Sequence, residues 1–192
     1  MLPEIVLASA SPRRAKLLGE AGYRFRVWAT HADESVEEGT APALAAVELA
    51  VRKAMAVPEA RSWVLAADTV IDLDGAILGK PRDRADARRI LGLLSGREHW
   101  VATGVALRAP GEGVLTGLAQ TKVAFRALSP REIEDYVATG EPLDKAGAYA
   151  IQGGAARFVA RVDGPLDNVI GLPMDVVRRL LVEAGWPGRA RG

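Results

Sequence analysis

Within six residues, the run Ser9-Ala10-Ser11-Pro12-Arg13-Arg14 sets two hydroxyls and two guanidinium groups beside the start of a helix. A helix N-terminus presents unpaired N–H groups and partial positive charge, so it favours anions. Hydroxyls add donors and arginines add forked, permanent charge, which together suit phosphate. A capped helix with two solvated arginines is the plainer alternative. Asp68-Thr69 follows the apolar run Trp63 to Ala67. In α/β folds ligands gather at the carboxyl ends of strands. A carboxylate there can bind a divalent cation or take a proton from water. An Asp that caps a turn is its plainer alternative.

Other candidates are weaker one by one. Gly79-Lys80-Pro81 fails as a phosphate-binding Walker loop, because only three residues separate Gly75 from Gly79 and proline follows the lysine. Lys80 and Lys53 can each serve as a point charge for phosphate, although a solvated position suits either lysine taken alone. Glu34, in the acidic stretch His31 to Gly39, could join Asp68 in an oxygen-ligand set for Mg²⁺ or Mn²⁺. Asp33, Glu37 and Glu38 share that stretch and dilute the claim. Gln152, in Tyr149-Ala150-Ile151-Gln152-Gly153-Gly154, offers an amide that can pair with the edge of uracil or thymine, or can satisfy loop backbone instead.

Several chemistries drop out. The chain has no cysteine, so disulfides, thiolate metal sites and a cysteine nucleophile are excluded. His31 and His99 stand alone, without the spacing of a zinc site. Neither a serine-nucleophile elbow nor a dinucleotide fingerprint occurs. Net charge is +1 over 192 residues, which argues against a nucleic-acid-binding surface. No stretch reaches the length of a membrane span, and Met1 to Glu4 does not read as a signal peptide. A cytoplasmic protein is expected.

The elements that would position these groups read as mixed α/β. Ile5-Val6-Leu7 is a short buried strand, and Ser11-Pro12 opens a helix that Gly22 closes. Phe25 to Trp28 alternates like a strand. Pro42 to Val57 is an amphipathic helix with Leu44, Val47, Val51 and Ala54 on its apolar face. Trp63 to Ala67 reads as a central strand, and Asp74-Gly75 as the turn of a hairpin between Val70–Asp72 and Ala76–Leu78. Asp83 to Leu94 is helical, and Trp100–Leu107 and Val114–Leu128 form an antiparallel pair about Gly111-Glu112-Gly113. Ser129-Pro130-Arg131-Glu132 starts a helix that stops near Gly140. Phe158 to Val162 is a strand, Pro173 starts a last helix, and the tail after Pro187 is expected to fray. One domain over residues 1–192, built as two lobes, is the expectation.

Taken together the motifs resemble the Maf family of nucleoside triphosphate pyrophosphatases. The resemblance rests on LASASPRR (Leu7 to Arg14), AADTV (Ala66 to Val70), LGKPRD (Leu78 to Asp83), VATGV (Val101 to Val105), DKAGAYAIQG (Asp144 to Gly153) and NVIGLP (Asn168 to Pro173). It implies a mixed, twisted β-sheet with flanking helices and a cleft between two lobes, of the Maf and inosine triphosphatase kind, in a homodimer. It also implies hydrolysis of a nucleoside triphosphate between its α- and β-phosphates, aided by a divalent cation. By resemblance Asp68 is the proton acceptor and a metal ligand, and Glu34 a metal or water ligand. Arg13, Thr69 and Gln152 fall at positions that set substrate choice, and Ser9, Arg14, Lys53 and Lys80 at phosphate contacts. DKAGAYAIQG is similar to the branch that prefers dTTP and UTP. The same chemistry on 7-methyl-GTP or another non-standard nucleotide is the first alternative, and a nucleotide-binding regulator of cell division the second. Gly164-Pro165 departs from the family pattern, with a local conformational effect expected.

Overall fold

The computed structural model describes residues 3–59, 61–111 and 113–188. Met1 and Leu2, Glu112 of the expected turn, and residues 189–192 of the expected frayed tail lie outside the described residues. Strands β1 (Ile5–Leu7), β2 (Phe25–Val27), β3 (Trp63–Leu73), β4 (Ala76–Leu78), β5 (Glu98–Arg108), β6 (Val114–Phe125) and β7 (Val159–Asp163) form one mixed sheet. Its order is β2-β1-β3-β5-β6-β7, with β4 paired to β3. β1 is parallel to β2 and β3, and every other pairing is antiparallel. Helices α1 (Pro12–Glu20), α2 (Pro42–Met55), α3 (Arg84–Leu94), α4 (Pro130–Ala138), α5 (Leu166–Ile170) and α6 (Met174–Glu183) flank it.

The hydrophobic pattern explains the layers. Successive residues of β3 point to opposite faces. Val64 and Ala66 meet Ala50, Ala54 and Val57 of the α2 segment. Leu65 and Ala67 meet Leu18 of α1 and Val177, Leu180 and Leu181 of α6. Further along that second face, Ile71 joins Val101, Val123 and Phe125 under α3, α4 and Phe158. The sheet therefore carries two cores on one face, one at each end, with Thr69 and Thr103 at the seam between them.

Two expectations need correction. Asp68 does not follow the end of a strand. β3 runs unbroken from Trp63 to Leu73, because β5 pairs it throughout, Asp68 opposite Gly104 included. The strand that ends here is β1: its last pair is Leu7 with Leu65, and β4 begins pairing only at Ile71. Between those points no described strand covers that edge of β3, so Asp68 and Thr69 border an opening in the sheet. The apolar face of α2 is also displaced. Ala45, Ala46, Leu49, Ala50 and Ala54 are buried, whereas Leu44 is 52% exposed. Small side chains let the helix lie close to the sheet, and that closeness outweighs the greater hydrophobicity of Leu44.

Smaller features differ for local reasons. Ser11 is the N-cap of α1, yet its side chain makes no capping bond; instead its N–H donates to Ser9 Oγ at 3.2 Å. Ser129 does form the expected capping box with Glu132. Five residues after the departure at Gly164-Pro165 fold into the short helix α5, where the sequence showed only a motif. Pro165 O accepts from Thr121 Oγ1 at 2.9 Å, which ties that turn to β6.

Candidate active site

A cleft of about 620 Å³ opens at the uncovered edge of β3, and every residue singled out from the sequence lines it. Its size suits a nucleotide-scale ligand. Its floor is set by the strand: Asp68 faces α2 and Thr69 faces the seam.

Asp68 is buried, and its Oδ1 accepts from Lys53 Nζ. Lys53 is itself 9% exposed, which corrects the solvated position suggested for it. It reaches Asp68 from the last turn of α2, where the helix dipole favours a cation. The same Nζ lies 2.7 Å from Glu34 Oε1, and Lys80 Nζ lies 3.4 Å from Glu34 Oε2. The charges therefore alternate along one wall: Asp68, Lys53, Glu34, Lys80. The hydrogen bond from Lys53 holds the Glu34 carboxyl below its ordinary pKa. Its acidic neighbour Asp33 is occupied elsewhere, accepting from Ser35 N–H at 2.8 Å and Ser35 Oγ at 2.7 Å. That separates Glu34 from Asp33, which composition could not do.

Arg14 serves the second wall. Its Nε donates to Gly171 O at 2.7 Å, Nη1 to Ser9 Oγ at 3.2 Å and Nη2 to Thr69 Oγ1 at 3.1 Å. Burial of the charged end lowers its pKa, and Asp68 opposes that shift. Thr69 Oγ1 also contacts Thr103 Oγ1 at 2.9 Å, and Thr103 Oγ1 donates to Asn168 O at 3.0 Å. Four separated segments thus converge on one network: the β1–α1 loop with the start of α1, the middle of β3, the middle of β5, and α5 with Gly171. Arg13 also lines the cleft and has no ion-pair partner among the described residues. Exposed Gln152 also lines the cleft, in the segment between two 3₁₀ turns, Ala146–Ala148 and Gly154–Phe158.

The sequence reading gave no role to Lys145, although it lies in the quoted DKAGAYAIQG segment. Its side chain is only 13% exposed, lines the cleft and pairs with Asp144. A lysine embedded in a Gly- and Ala-rich run was the available signal. Tyr149, also lining the cleft, bonds His99 Nε2 at 2.9 Å through its hydroxyl.

A divalent cation can be tested against this donor set. Among the described residues no three His, Cys, Asp or Glu side chains gather as a metal cage. Yet Glu34 and Asp68 already converge on one cation, the Lys53 ammonium. Mg²⁺ usually takes one or two carboxylates and completes its shell with water and substrate phosphates. The residues fit such an ion once a phosphate displaces the lysine.

An α/β sheet opened at one edge, whose cleft is lined by several cations, a buried carboxylate and an exposed amide, fits a phosphorylated, base-bearing ligand. The chain matches the family model described as Maf-like protein over residues 4–184, and it belongs to that family. A dTTP/UTP pyrophosphatase of Geobacillus sp. (strain WCH70) is 47% identical over 187 residues, covering 96% of this chain and 100% of that protein. A dTTP/UTP pyrophosphatase of Anaeromyxobacter dehalogenans (strain 2CP-C) is 50% identical, covering 97% of each chain. One from Geobacter metallireducens is 53% identical over 88% of this chain and 90% of its own. A solved HAM1 protein from Coxiella burnetii shares the fold, with a TM-score of 0.50 at 17% identity over 95% of this chain and 100% of that one.

Proposed function

We propose that this chain hydrolyses dTTP and UTP between the α- and β-phosphates, releasing the nucleoside monophosphate and pyrophosphate. The alternating array of Asp68, Lys53, Glu34 and Lys80 along the cleft carries this reading, because it pairs a proton acceptor with movable cations. The similar proteins named dTTP/UTP pyrophosphatase support the substrate.

Triphosphate oxygens compete with Glu34 and Asp68 for the two lysines. As Lys53 and Lys80 turn to phosphate, Asp68 is released to accept a proton from water aimed at the α-phosphorus. The new bond joins that water oxygen to phosphorus, and the bond to the β-phosphate oxygen breaks. Negative charge grows on the leaving pyrophosphate, where Arg13, Lys53 and Lys80 stabilise it by preorganised charge. Ser9 and Arg14 shape the phosphate end of the cleft, Thr69 ties β3 to Arg14, and Gln152 meets the base. A divalent cation held by Glu34 and Asp68 supplies further charge stabilisation when bound. The proposal extends to a homodimer acting in the cytoplasm on free nucleotides, as the family resemblance implies.

The test is a panel of nucleoside triphosphates, 7-methyl-GTP included, scored by pyrophosphate release for the wild type and Asp68→Asn. The expected leaders are dTTP and UTP, with turnover by Asp68→Asn reduced about 10³-fold or more while its melting temperature is retained. An active Asp68→Asn protein removes Asp68 from the mechanism. Tight nucleotide binding without any pyrophosphate release replaces the enzyme with a nucleotide-binding regulator.

A further inference from the structure

Gln152 sits midway between two peptide N–H groups that are held from outside the cleft. The N–H of Ala150 donates to the Tyr136 hydroxyl at 3.1 Å, and the N–H of Gly154 donates to Glu141 Oε2 at 2.8 Å. Tyr136 belongs to α4, and Glu141 opens the 3₁₀ turn Glu141–Asp144 that follows it. Neither residue lines the cleft. Gly153 N–H also donates to Ala150 O at 3.0 Å, so Gln152 rides on a closed turn pinned on both sides.

The Tyr136 pin is firmly placed, and the Glu141 carboxylate lies close against the turn. Tyr136 is 1% exposed and packs edge-to-face on Phe158 at 5.3 Å. Burial pushes its pKa up, the Ala150 N–H opposes that and the Glu141 carboxylate adds to it, so the hydroxyl keeps its proton. Glu141 lies flat on the loop: a Cβ at Gly153 would stand 1.6 Å from Glu141 Oε1. Any side chain at that position would evict the carboxylate. The glycine after Gln152 is thus explained by the pin rather than by flexibility.

We infer that Tyr136 and Glu141 are positioning residues for base selection, which hold the Gln152 turn at the height needed to meet a pyrimidine edge. The inference rests on the reading that Gln152 meets the base. An amide discriminates only when its donor and acceptor are fixed relative to the base; on a loose loop it adapts to other edges and must be ordered on binding. Ser9, Arg14, Lys53 and Lys80 of the phosphate wall stand on other elements than the pins.

The experiment measures kcat and KM for dTTP, UTP, dCTP and dGTP, and inhibition by pyrophosphate, for the wild type, Gln152→Ala, Glu141→Ala, Glu141→Gln and Tyr136→Phe. Glu141→Ala and Tyr136→Phe are expected to lower the dTTP-to-dGTP ratio of kcat/KM about tenfold. The loss falls on KM for dTTP, with kcat and the pyrophosphate inhibition constant each within about threefold of wild type. Glu141→Gln keeps an acceptor oxygen and restores most of the ratio. An unchanged ratio in Glu141→Ala and Tyr136→Phe, beside a shifted ratio in Gln152→Ala, overturns the pins alone. An unchanged ratio in Gln152→Ala overturns base reading by Gln152 and the pins with it. A parallel loss of pyrophosphate affinity, or a Glu141→Gln protein no better than Glu141→Ala, reduces the pins to general structural support and overturns the inference.

Discussion

Arg14 spends three N–H groups on Gly171 O, Ser9 Oγ and Thr69 Oγ1, and a guanidinium has five. It is a strut first, with two N–H groups left for a ligand. A lysine at this position keeps the charge but cannot span three acceptors from one planar fork. Arg14→Lys is therefore expected to lower kcat/KM for dTTP about tenfold or more and to lower the melting temperature as well. Steady-state kinetics and a thermal melt check this together. Wild-type values for both would make the strut dispensable. The residue types of this site were legible in the sequence, since hydroxyls, guanidiniums, lysines and carboxylates advertise phosphate chemistry. Their partners were not legible. Lys53 reads as a surface residue beside Arg52, and only the fold shows that it is buried and joins buried Asp68 to the exposed Glu34. Likewise Tyr136 and Glu141 fall outside the quoted motifs, and their hydrogen bonds to the Gln152 turn depend on how α4 and the turn after it dock.

At the level of elements, the Asp68–Lys53 contact depends on how closely α2 lies on the sheet. The decisive position is Gly104, which pairs with Asp68 across β3 and β5. A Cβ there would lie 2.3 Å from Ala46 O, in the backbone of α2. Because that atom is backbone, no rotamer change relieves the clash, and the helix must move. Gly104→Ala is expected to cost about 1–3 kcal/mol and to lower the melting temperature by roughly 5–10 °C. It is also expected to cut kcat beyond what the loss of folded protein explains, because moving α2 shifts Lys53 away from Asp68. Activity normalised to folded fraction separates the two effects, and an unshifted melt refutes the close-packing account. The order of strands and helices was largely legible, because turn signals such as Asp74-Gly75 and Ser129-Pro130 are local. Two features were not. The alanine face of α2 is invisible to a pattern that weights Leu44 and Val47 above Ala45 and Ala46, since close approach is a property of the pair of surfaces. Asp68 suggested a strand end, but a charge tolerated inside a strand needs a buried counter-ion that lies 15 residues away in sequence.

One part of the whole molecule's response to acid belongs to His99, which links the distal core to the cleft. It is 2% exposed, packs edge-to-face against Phe125 and Tyr149, and meets the Tyr149 hydroxyl through Nε2. Its Nδ1 is buried without a partner among the described residues, so a second ring proton would find no acceptor there. Burial accordingly holds its pKa at about 4, against an ordinary 6.5. Between those values the unfolded chain takes up a proton that the folded protein refuses. The stability contributed by neutral His99 is thus complete above the unfolded pKa and is lost as pH falls toward the folded one. From pH 7 to pH 4.5 the loss is about 2.5 kcal/mol. Urea midpoints across that range, compared between the wild type and His99→Gln, measure it. The amide of the variant can still meet Tyr149 but takes up no proton. The wild type is expected to lose more stability on acidification than His99→Gln, by about that amount, even where the variant starts lower from lost packing. Tyr149 lines the cleft, so the same acid range should raise KM for dTTP in the wild type before global unfolding sets in. Equal acid sensitivity in the two proteins would assign the proton uptake to other groups and leave His99 as a packing residue only.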